Sequence, residues 1–216
     1  QQAVADKWQE VTGARLYEGY GLSETSPVLT LNFGNRDQSE YISGIGVPMP
    51  NTDISIRDDN GNVVADGESG ELCAKGPQVM QGYWNNPSAT AASMTTDGYF
   101  KTGDVAMLDD GGFFHIVDRK KDMINVSGFN VYPNEIEAEV AKMPGVLESA
   151  CIGVPDERTG EAVKLFVVKA EQSITEQEII DYCRLGLTGY KIPKHVIFID
   201  EIPKSTVGKL LRRELR

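Results

Sequence analysis

The stretch EGYGLSETSP, residues 18–27, combines flexible glycines with an aromatic ring, a hydroxyl group and a carboxylate. Gly19 allows the backbone to approach a ligand closely, because it carries no side-chain carbon. Tyr20 can stack on a flat ring, Ser23 can donate to a phosphate oxygen, and Glu24 offers the hard oxygen that Mg2+ prefers. Taken alone, the pattern is weak evidence for a site, since a glycine turn beside a glutamate is more often an ordinary turn.

A second stretch, residues 97–137, carries more specific features. Asp104 follows Thr102-Gly103 at a predicted strand end, where a carboxylate can accept hydrogen bonds from both hydroxyls of a ribose. Arg119 offers a planar fork for ribose or phosphate oxygens. Ser127-Gly128 predicts a second turn that a ligand can approach closely.

The segment IPKSTVGKLLRREL, residues 202–215, carries four basic residues and a single acid near the end of an acidic chain. Gly208 permits a turn immediately before Lys209. In isolation, Lys209 is best explained as a solvated surface residue, because lysines are mostly exposed. The segment therefore predicts a basic loop whose role depends on the rest of the sequence.

The composition is typical of a soluble globular protein. Of the 216 residues, 40% are hydrophobic and 25% are charged, which fits one large domain or two small ones. No apolar run is long enough to span a bilayer, and no signal peptide is recognisable. The three cysteines form no CxxC pair, so we expect reduced thiols in a cytosolic protein.

Charge divides the chain into two parts. Residues 1–118 contain 6 lysines and arginines against 17 aspartates and glutamates, whereas residues 119–216 contain 15 of each class. The asymmetry predicts two units with different surroundings, divided near DRKKD at residues 118–122. The acidic first part argues against a nucleic acid partner, because it would repel phosphates.

The first part reads as strands and turns, and the second as alternating helices and strands. TDISIRDDNGNVV predicts a hairpin around Asn60-Gly61, and close-spaced short strands favour a β-barrel or sandwich segment. NEIEAEVAKM places Ile136, Val140 and Met143 on one helical face. TEQEIIDYCRLGL opens with Thr175 and Glu178 at capping-box spacing. The second part therefore indicates a compact α+β unit.

These stretches resemble an ordered set of motifs from the adenylate-forming superfamily, which includes acyl-CoA synthetases, nonribosomal adenylation domains and beetle luciferases. YGLSET resembles the adenine and magnesium motif, FKTGD the ribose motif, DRKKDMINVSGFNVYPNEIE the hinge motif, and PKSTVGKLLRREL the terminal lysine motif. The run DGYFKTGDVAMLDDGGFFHIVDRKK is most similar to bacterial long-chain fatty acid–CoA ligases. The resemblance covers essentially the whole chain.

The resemblance implies an α+β fold in two domains. Residues 1–120 would be the strand-rich C-terminal part of the large adenylation domain. Residues 121–216 would be a small mobile α+β domain, with the hinge near Lys121. The opening QQAVADKWQEVTG has no initiator methionine and reads as the end of a helix, so we expect this chain to be the C-terminal piece of a longer one.

The resemblance also implies roles for individual residues. Those expected around the nucleotide are Glu18 and Gly19 lining the adenine, Tyr20 stacking on it, Ser23 touching the α-phosphate, Glu24 holding Mg2+, and Asp104 and Arg119 binding the ribose hydroxyls. Ser23 departs from the threonine usual in the family but keeps the hydroxyl. In the small domain, Lys121 would be the hinge, Ser127 and Gly128 would line the pantetheine path, and Lys209 would be the catalytic lysine of adenylation.

The implied activity is that of a fatty acid–CoA ligase, which uses ATP, Mg2+ and CoA as co-substrate. A fatty carboxylate would form acyl-AMP and pyrophosphate, and the acyl group would then pass to CoA. The family's phosphate loop, of the type TSGTTGxPKG, has no counterpart in this sequence. We therefore expect these 216 residues alone to be inactive.

Three different functions are also compatible with the sequence. The chain can belong to a different adenylating enzyme, such as a fatty acyl-AMP ligase or an aryl-CoA ligase, because much of the family's carboxylate pocket lies upstream. It can also be a non-catalytic nucleotide-binding module. A structural interaction domain is the third possibility, although it would not need all five of the groups at Tyr20, Glu24, Asp104, Arg119 and Lys209. Family members often associate peripherally with a membrane and often dimerise through the larger domain, which gives two further expectations.

Overall fold

The computed structural model describes residues 2–14, 16–33, 44–206 and 208–216. The chain separates into two compact units, residues 1–117 and residues 118–216. Among the described residues, no helix has both the length and the apolar character needed to cross a membrane. The expected domain boundary after residue 120, with its hinge near Lys121, stays a prediction.

Strands dominate the first unit. Its described helices are Gln2–Thr12 (α1) and Pro87–Ser93 (α2). Its described strands are Glu18–Gly21 (β1), Val28–Asn32 (β2), Val47–Pro48 (β3), Asp53–Arg57 (β4), Gly70–Lys75 (β5), Phe100–Leu108 (β6) and Phe114–Arg119 (β7), the last of which runs past the division between the units. They form two sheets, ordered β1-β2-β3 and β4-β5-β6-β7.

Both sheets of the first unit contribute to one apolar core. Leu29 of β2 belongs to the same buried cluster as Leu72 of β5, Ala106 of β6 and Phe114 of β7. An isolated bridge between Gly46 and Phe114 joins the two sheets. The alternation of apolar and polar residues in these short strands is thus explained by a core on one side of each sheet.

The chain reverses at Asn60-Gly61, as the sequence pattern predicts. Gly61 has a φ of +85°, a left-handed conformation that glycine adopts without strain. Asp58 accepts a hydrogen bond from the N–H of Asn60 over 2.9 Å. The returning segment pairs briefly with β4, through an isolated bridge between Arg57 and Val63 and a hydrogen bond from the N–H of Val64 to the carbonyl of Ile56 over 3.0 Å. The other edge of β4 pairs along its length with β5.

The second unit alternates helices and strands. Its described helices are Pro133–Val140 (α3) and Glu176–Gly186 (α4). Its described strands are Ile124–Val126 (β8), Phe129–Val131 (β9), Val146–Asp156 (β10), Gly160–Lys169 (β11) and His195–Phe198 (β12). They form one sheet ordered β10-β11-β8-β9, in which β12 also pairs with β11 in parallel. The predicted α+β fold class is confirmed.

Strand β11 is buried on both faces, which its nearly continuous apolar run indicates. Val163 and Leu165 pack with helices α3 and α4 in one core cluster. Phe166 packs in a second cluster, with Ile202 and Leu210 of the C-terminal segment. The segment that follows β12 is therefore a layer of the fold and covers the face of the sheet opposite the helices.

Helix α4 begins with the capping box that the sequence predicts. The N–H of Glu178 donates to Thr175 Oγ1 over 3.3 Å, and the N–H of Thr175 donates to the Glu178 carboxylate over 2.9 Å. Two donors at the helix start are thereby satisfied. Helix α3 is shorter than its apolar pattern suggests: it ends at Val140, and Met143 packs on the same core from the following turn.

We expect Thr175→Ala to destabilise the start of α4 by about 1 kcal/mol, because it removes the side-chain cap. Hydrogen exchange at the α4 amides should then be faster by roughly 5-fold. Thr188→Ala is the matched control, since Thr188 begins a 3-10 turn without a capping bond from its side chain. Unchanged exchange in the Thr175 variant would contradict the role of this cap.

Candidate functional site

Strand β1 carries the first three predicted site residues, Glu18, Gly19 and Tyr20, and it pairs antiparallel with β2. Glu18 and Tyr20 are half-buried, whereas Gly19 is exposed. Tyr20 Oη donates a hydrogen bond to Asp104 Oδ2 over 2.6 Å. The ring predicted to stack on adenine and the carboxylate predicted to bind ribose are thus in direct contact, although 84 positions separate them in the sequence.

Asp104 lies inside strand β6, so the prediction that it ends a strand is wrong. The pairing of β6 with β5 shifts register between Glu71 and Cys73. Gly103 has a φ of +76° at this shift, as expected for a β-bulge. Thr102 Oγ1 accepts a hydrogen bond from the N–H of Asp104 over 3.1 Å. A bulge and a strand end both place glycine beside polar residues, which is why the sequence alone does not separate them.

A tight loop follows β1 and fixes the next two predicted residues. A Cβ added to Gly21 would lie 1.6 Å from the carbonyl oxygen of Pro27, so this close approach requires glycine. The buried hydroxyl of Thr25 donates to the same oxygen over 2.6 Å. Ser23, which is exposed, and Glu24, which is half-buried, therefore lie in a well-braced 3-10 turn.

The carboxylate of Glu24 accepts a hydrogen bond from Tyr83 Oη over 3.0 Å. The backbone carbonyl of Glu24 accepts a second bond, from the N–H of Met80 over 2.8 Å. Burial, and then the bond to Glu24, raise the pKa of the Tyr83 phenol, so it remains a donor at neutral pH. Tyr83 is not among the residues predicted from the sequence, although the GYW run beside a glycine turn is a signal that could have identified it.

Glu24 is the one residue expected to hold a metal ion. Within the residues that the structure describes, no three histidine, cysteine or acidic side chains come close enough together to bind one. A single half-buried carboxylate nevertheless fits Mg2+, which is usually held by one or two carboxylates together with water and substrate phosphates. The surroundings of Glu24 are therefore compatible with a magnesium site that a phosphate ligand completes.

In the second unit, Arg119 ends β7 and Lys121 lies in the 3-10 turn Lys120–Asp122. Both Arg119 and Lys121 are exposed. The base of this turn is fixed by Asp118, which is buried and accepts hydrogen bonds from the N–H groups of Arg119 over 2.7 Å and Asn134 over 2.8 Å. Burial raises the pKa of Asp118. Lys121 is thus presented to solvent from an anchored turn.

Ser127 and Gly128 form the turn between β8 and β9, with φ values of +52° and +86°. Two successive left-handed residues are typical of the type I′ turn that closes a two-residue hairpin. The N–H of Ser127 donates to the carbonyl of Thr159 over 2.8 Å, and the N–H of Gly128 donates to Asn125 Oδ1 over 3.0 Å. The turn is exposed but held at both of its central residues.

Lys209 lies in a hairpin of the C-terminal segment. The hairpin is closed by a bridge between Lys204 and Leu210. Near its tip, the N–H of Ser205 donates to the carbonyl of Lys209 over 2.8 Å, and the N–H of Lys209 donates to Ser205 Oγ over 3.1 Å. Gly208 has a φ of +77°, which confirms the glycine turn that the sequence predicts. Lys209 itself is exposed.

The structure brings some predicted site residues into contact and leaves others apart within their unit. In the first unit, Tyr20 contacts Asp104, while Glu24 contacts Tyr83. In the second unit, the predicted residues lie on three exposed loops that carry Arg119 and Lys121, Ser127 and Gly128, and Lys209. The assembly of both groups around one substrate stays a prediction.

Two family profiles match the chain: AMP-binding enzyme over residues 1–84 and AMP-binding enzyme C-terminal domain over residues 135–209. A long-chain-fatty-acid–CoA ligase from Yersinia pestis is 59% identical over the whole chain, and a feruloyl-CoA synthase from an Amycolatopsis species is 45% identical over 94% of it. The crystal structure of ATP-bound MatB from Rhodopseudomonas palustris covers the whole chain with 36% identity and a TM-score of 0.91.

The chain spans well under half the length of these proteins. It covers 38% of the Yersinia ligase, 41% of the feruloyl-CoA synthase and 42% of the MatB chain. The likeness to each therefore concerns the part of those proteins that corresponds to these 216 residues.

The prediction that Asp104 binds the ribose of ATP implies that Gly103→Ala weakens ATP binding. A Cβ at Gly103 would meet nothing within 4 Å, so its cost is the left-handed backbone, about 1–2 kcal/mol. Gly103 directly precedes Asp104 in the bulge, so the strain acts beside the carboxylate that is predicted to bind ribose. Calorimetric titration should show ATP affinity lower by roughly 5-fold or more.

Gly112→Ala provides the control, because Gly112 also has a left-handed φ, of +81°, and open space around its Cβ position. Gly112 lies in the turn before β7, outside the predicted site. The Gly112→Ala variant should lose about as much stability as the Gly103→Ala variant, but it should bind ATP as tightly as the parent protein does. Equal ATP affinity in the two variants would show that the bulge does not serve nucleotide binding.

Proposed function

Because the chain belongs to the AMP-binding enzyme family, we propose that it is part of a ligase that activates long-chain fatty acids with ATP and joins them to CoA. The name and 59% identity of the Yersinia ligase support this choice of substrate. The proposed substrates are a long-chain fatty acid, ATP and CoA, with Mg2+ as the metal ion. The activity is that of the whole protein, since these residues hold only part of the nucleotide site.

The observation that carries the proposal is the 2.6 Å hydrogen bond between Tyr20 and Asp104. In a nucleoside, the flat base and the ribose hydroxyls are joined through a single glycosidic bond. A stacking ring and a ribose-binding carboxylate must therefore lie side by side. In the proposed complex, Tyr20 stacks on the adenine, which Glu18 and Gly19 line, and Asp104 accepts hydrogen bonds from the ribose hydroxyls.

In the proposed first step, an oxygen of the fatty carboxylate attacks the α-phosphorus of ATP. A new P–O bond forms as the bond to the leaving pyrophosphate breaks. The Lys209 ammonium offsets the negative charge that gathers on the reacting groups, and Ser23 donates to an α-phosphate oxygen. Mg2+ held by Glu24 would neutralise further phosphate charge.

In the proposed second step, the second domain has rotated about Lys121 and carried Lys209 away. The Ser127-Gly128 turn then lines the path of the CoA pantetheine arm. The CoA thiolate attacks the acyl carbonyl carbon, and AMP leaves with the electron pair of the broken C–O bond. A conformational step thereby lets the same protein catalyse two reactions in turn. Arg119 would lie beside the ribose.

The surroundings of the protein follow from its proposed substrates. We propose a cytosolic protein that contacts the inner face of the membrane peripherally, because long acyl chains partition into bilayers. A homodimer formed through the larger domain is the expected assembly, from the family resemblance. The excess of acidic residues in the first 118 positions disfavours a nucleic acid partner.

An aryl-CoA ligase is the second candidate, and the 45% identity with feruloyl-CoA synthase is the observation that favours it. The nucleotide and tail residues serve either substrate equally, because both reactions pass through an acyl adenylate. A panel of fatty and aromatic carboxylates separates the two candidates. A fatty acyl-AMP ligase would instead form the adenylate without transfer to CoA, and a non-catalytic module would bind ATP without turnover.

The test is carboxylate-dependent exchange of pyrophosphate into ATP by the full-length protein. We expect exchange to peak with long-chain fatty acids and to fall about 10²–10³-fold in Lys209→Ala, the loss typical of removing one group that stabilises transition-state charge. Arg213→Ala is the matched control. Its side chain is 79% exposed, so its removal changes the charge of the tail but leaves exchange near the parent level.

No exchange with any carboxylate would overturn the ligase proposal in favour of the nucleotide-binding module. Exchange that peaks with aromatic acids would favour the aryl-CoA ligase. Normal exchange in Lys209→Ala would keep the activity but remove Lys209 from its catalytic role.

We also expect the 216 residues, produced alone, to support no exchange under conditions in which the full-length protein does. The sequence contains no phosphate loop of the type TSGTTGxPKG, and the β- and γ-phosphates need such a cradle. Circular dichroism should first establish that the isolated chain is folded. Exchange by the folded, isolated chain at a rate near that of the parent protein would contradict the expectation.

A further inference from the structure

Arg212 lies three residues after Lys209 and ties the C-terminal segment to the rest of the second unit. Its Nη2 donates to both carboxylate oxygens of Glu137 at 2.8 Å and to Asn134 Oδ1 at 3.1 Å. Its Nε donates to the carbonyl of Cys151 at 3.2 Å. The fork of one side chain therefore joins the tail to helix α3 and strand β10 at the same time.

This ion pair is mostly buried. The side chains of Arg212 and Glu137 are only 13% and 17% exposed, and Glu137 also accepts a hydrogen bond from the N–H of Cys151 over 2.7 Å. Charge-assisted bonds in such surroundings have strict geometry and are poorly screened by salt. Arg184 and Asp181, by contrast, form an exposed pair of the kind that contributes little.

Besides Arg212, the tail makes further ion pairs, Lys204 with Glu148 and Arg216 with Asp122, in each of which the basic side chain is 42% or more exposed, and its other contacts are mostly apolar. Ile202, Leu210 and Leu215 pack in the cluster that covers the second face of the sheet. Apolar contacts are non-directional and set how deeply a segment is seated rather than its orientation. On the C-terminal side of Lys209, the nearest side-chain bond that ties the hairpin to the rest of the unit is the one that Arg212 donates to Glu137.

The hairpin connects the anchored Arg212 to Lys209, so the bond between Arg212 and Glu137 also restricts the position of Lys209. The N–H of Leu211, the residue before Arg212, donates to the carbonyl of Pro203 over 2.9 Å and closes the base of the hairpin. Among the described residues, none forms an ion pair with the Lys209 ammonium, so its position depends on the hairpin rather than on a partner of its own. The base of that hairpin is where Arg212 is anchored.

We propose that Arg212 is a positioning residue, which with Glu137 sets the orientation of the Lys209 hairpin for adenylate formation and is not required for transfer of the acyl group to CoA. The inference rests on the proposed ligase activity, in which Lys209 serves only the first step. A merely structural Arg212 would instead be needed for both steps.

The experiment compares the two half-reactions in the full-length protein. Pyrophosphate exchange reports the first, and CoA thioester formation from added acyl-AMP reports the second. We expect Arg212→Met to lower exchange at least about 30-fold while thioester formation stays within about 3-fold of the parent. Arg212→Lys keeps the positive charge but loses the planar guanidinium group. We expect its pyrophosphate exchange rate to lie between those of the parent and of Arg212→Met. Arg213→Met, at an exposed neighbour, should change neither rate.

Removing one partner of a buried ion pair can unfold a domain, because it leaves an unpaired charge. The double variant Glu137→Leu/Arg212→Leu removes both charges and should restore the thermal stability lost in Arg212→Met. If Arg212 positions Lys209, the double variant keeps thioester formation near the parent level but still lacks pyrophosphate exchange. Equal losses in the two half-reactions of the stable double variant, or no loss in either, would overturn the proposal.

Hydrogen exchange of residues 203–211 keeps this inference separate from the proposed function. If the unmodified protein catalyses neither half-reaction, the ligase proposal fails, and the proton exchange rates still report on the hairpin. Faster exchange at the hairpin amides in the double variant, with the α4 amides unchanged, supports control of the hairpin by Arg212. Unchanged exchange at the hairpin would overturn that control.

Discussion

The burial of one sheet on both faces is the constraint on which the second unit depends. Strand β11 places Val163 and Leu165 against the helices, and Phe166 against the C-terminal segment. Since apolar burial is the main favourable term in folding, the tail cannot leave the sheet without exposing this second core. The hairpin that carries Lys209 is therefore built on the core of its own unit rather than attached to it as a free arm.

In the first unit, the corresponding constraint is the freedom of glycine backbone. Gly21 allows the chain to pass against the carbonyl of Pro27, and Gly103 permits the bulge in β6. These two departures from regular strand geometry lie on the two sheets that share a single core. Tyr20 and Asp104, which share a hydrogen bond, each lie next to one of these glycines and beside a register shift of its strand.

Features of local origin are predictable from the sequence, and features set by distant partners are not. The Thr175–Glu178 capping box and the Ser127-Gly128 turn depend on neighbouring residues, and both are found. The place of Asp104 depends on the register of β6 with β5, which its own sequence does not contain. The partners of Tyr83 and Arg212 cannot be predicted from neighbouring residues for the same reason, since their carboxylate partners lie 59 and 75 positions away.

In the proposed cycle, the second unit presents different loops to the same substrate in the two steps. The structure of this unit is compatible with that role. Each loop is exposed, yet each is held by bonds within the unit: Asp118, three residues before Lys121, accepts from the Asn134 amide, the Ser127 amide donates to Thr159, and the Lys209 amide donates to Ser205. Because these bonds need no partner outside the unit, a rotation of the unit would leave them intact. Loops ordered in this way lose little conformational entropy when they bind the substrate. The free-energy cost of the conformational change therefore arises at the hinge and not at the residues that take part in the reaction.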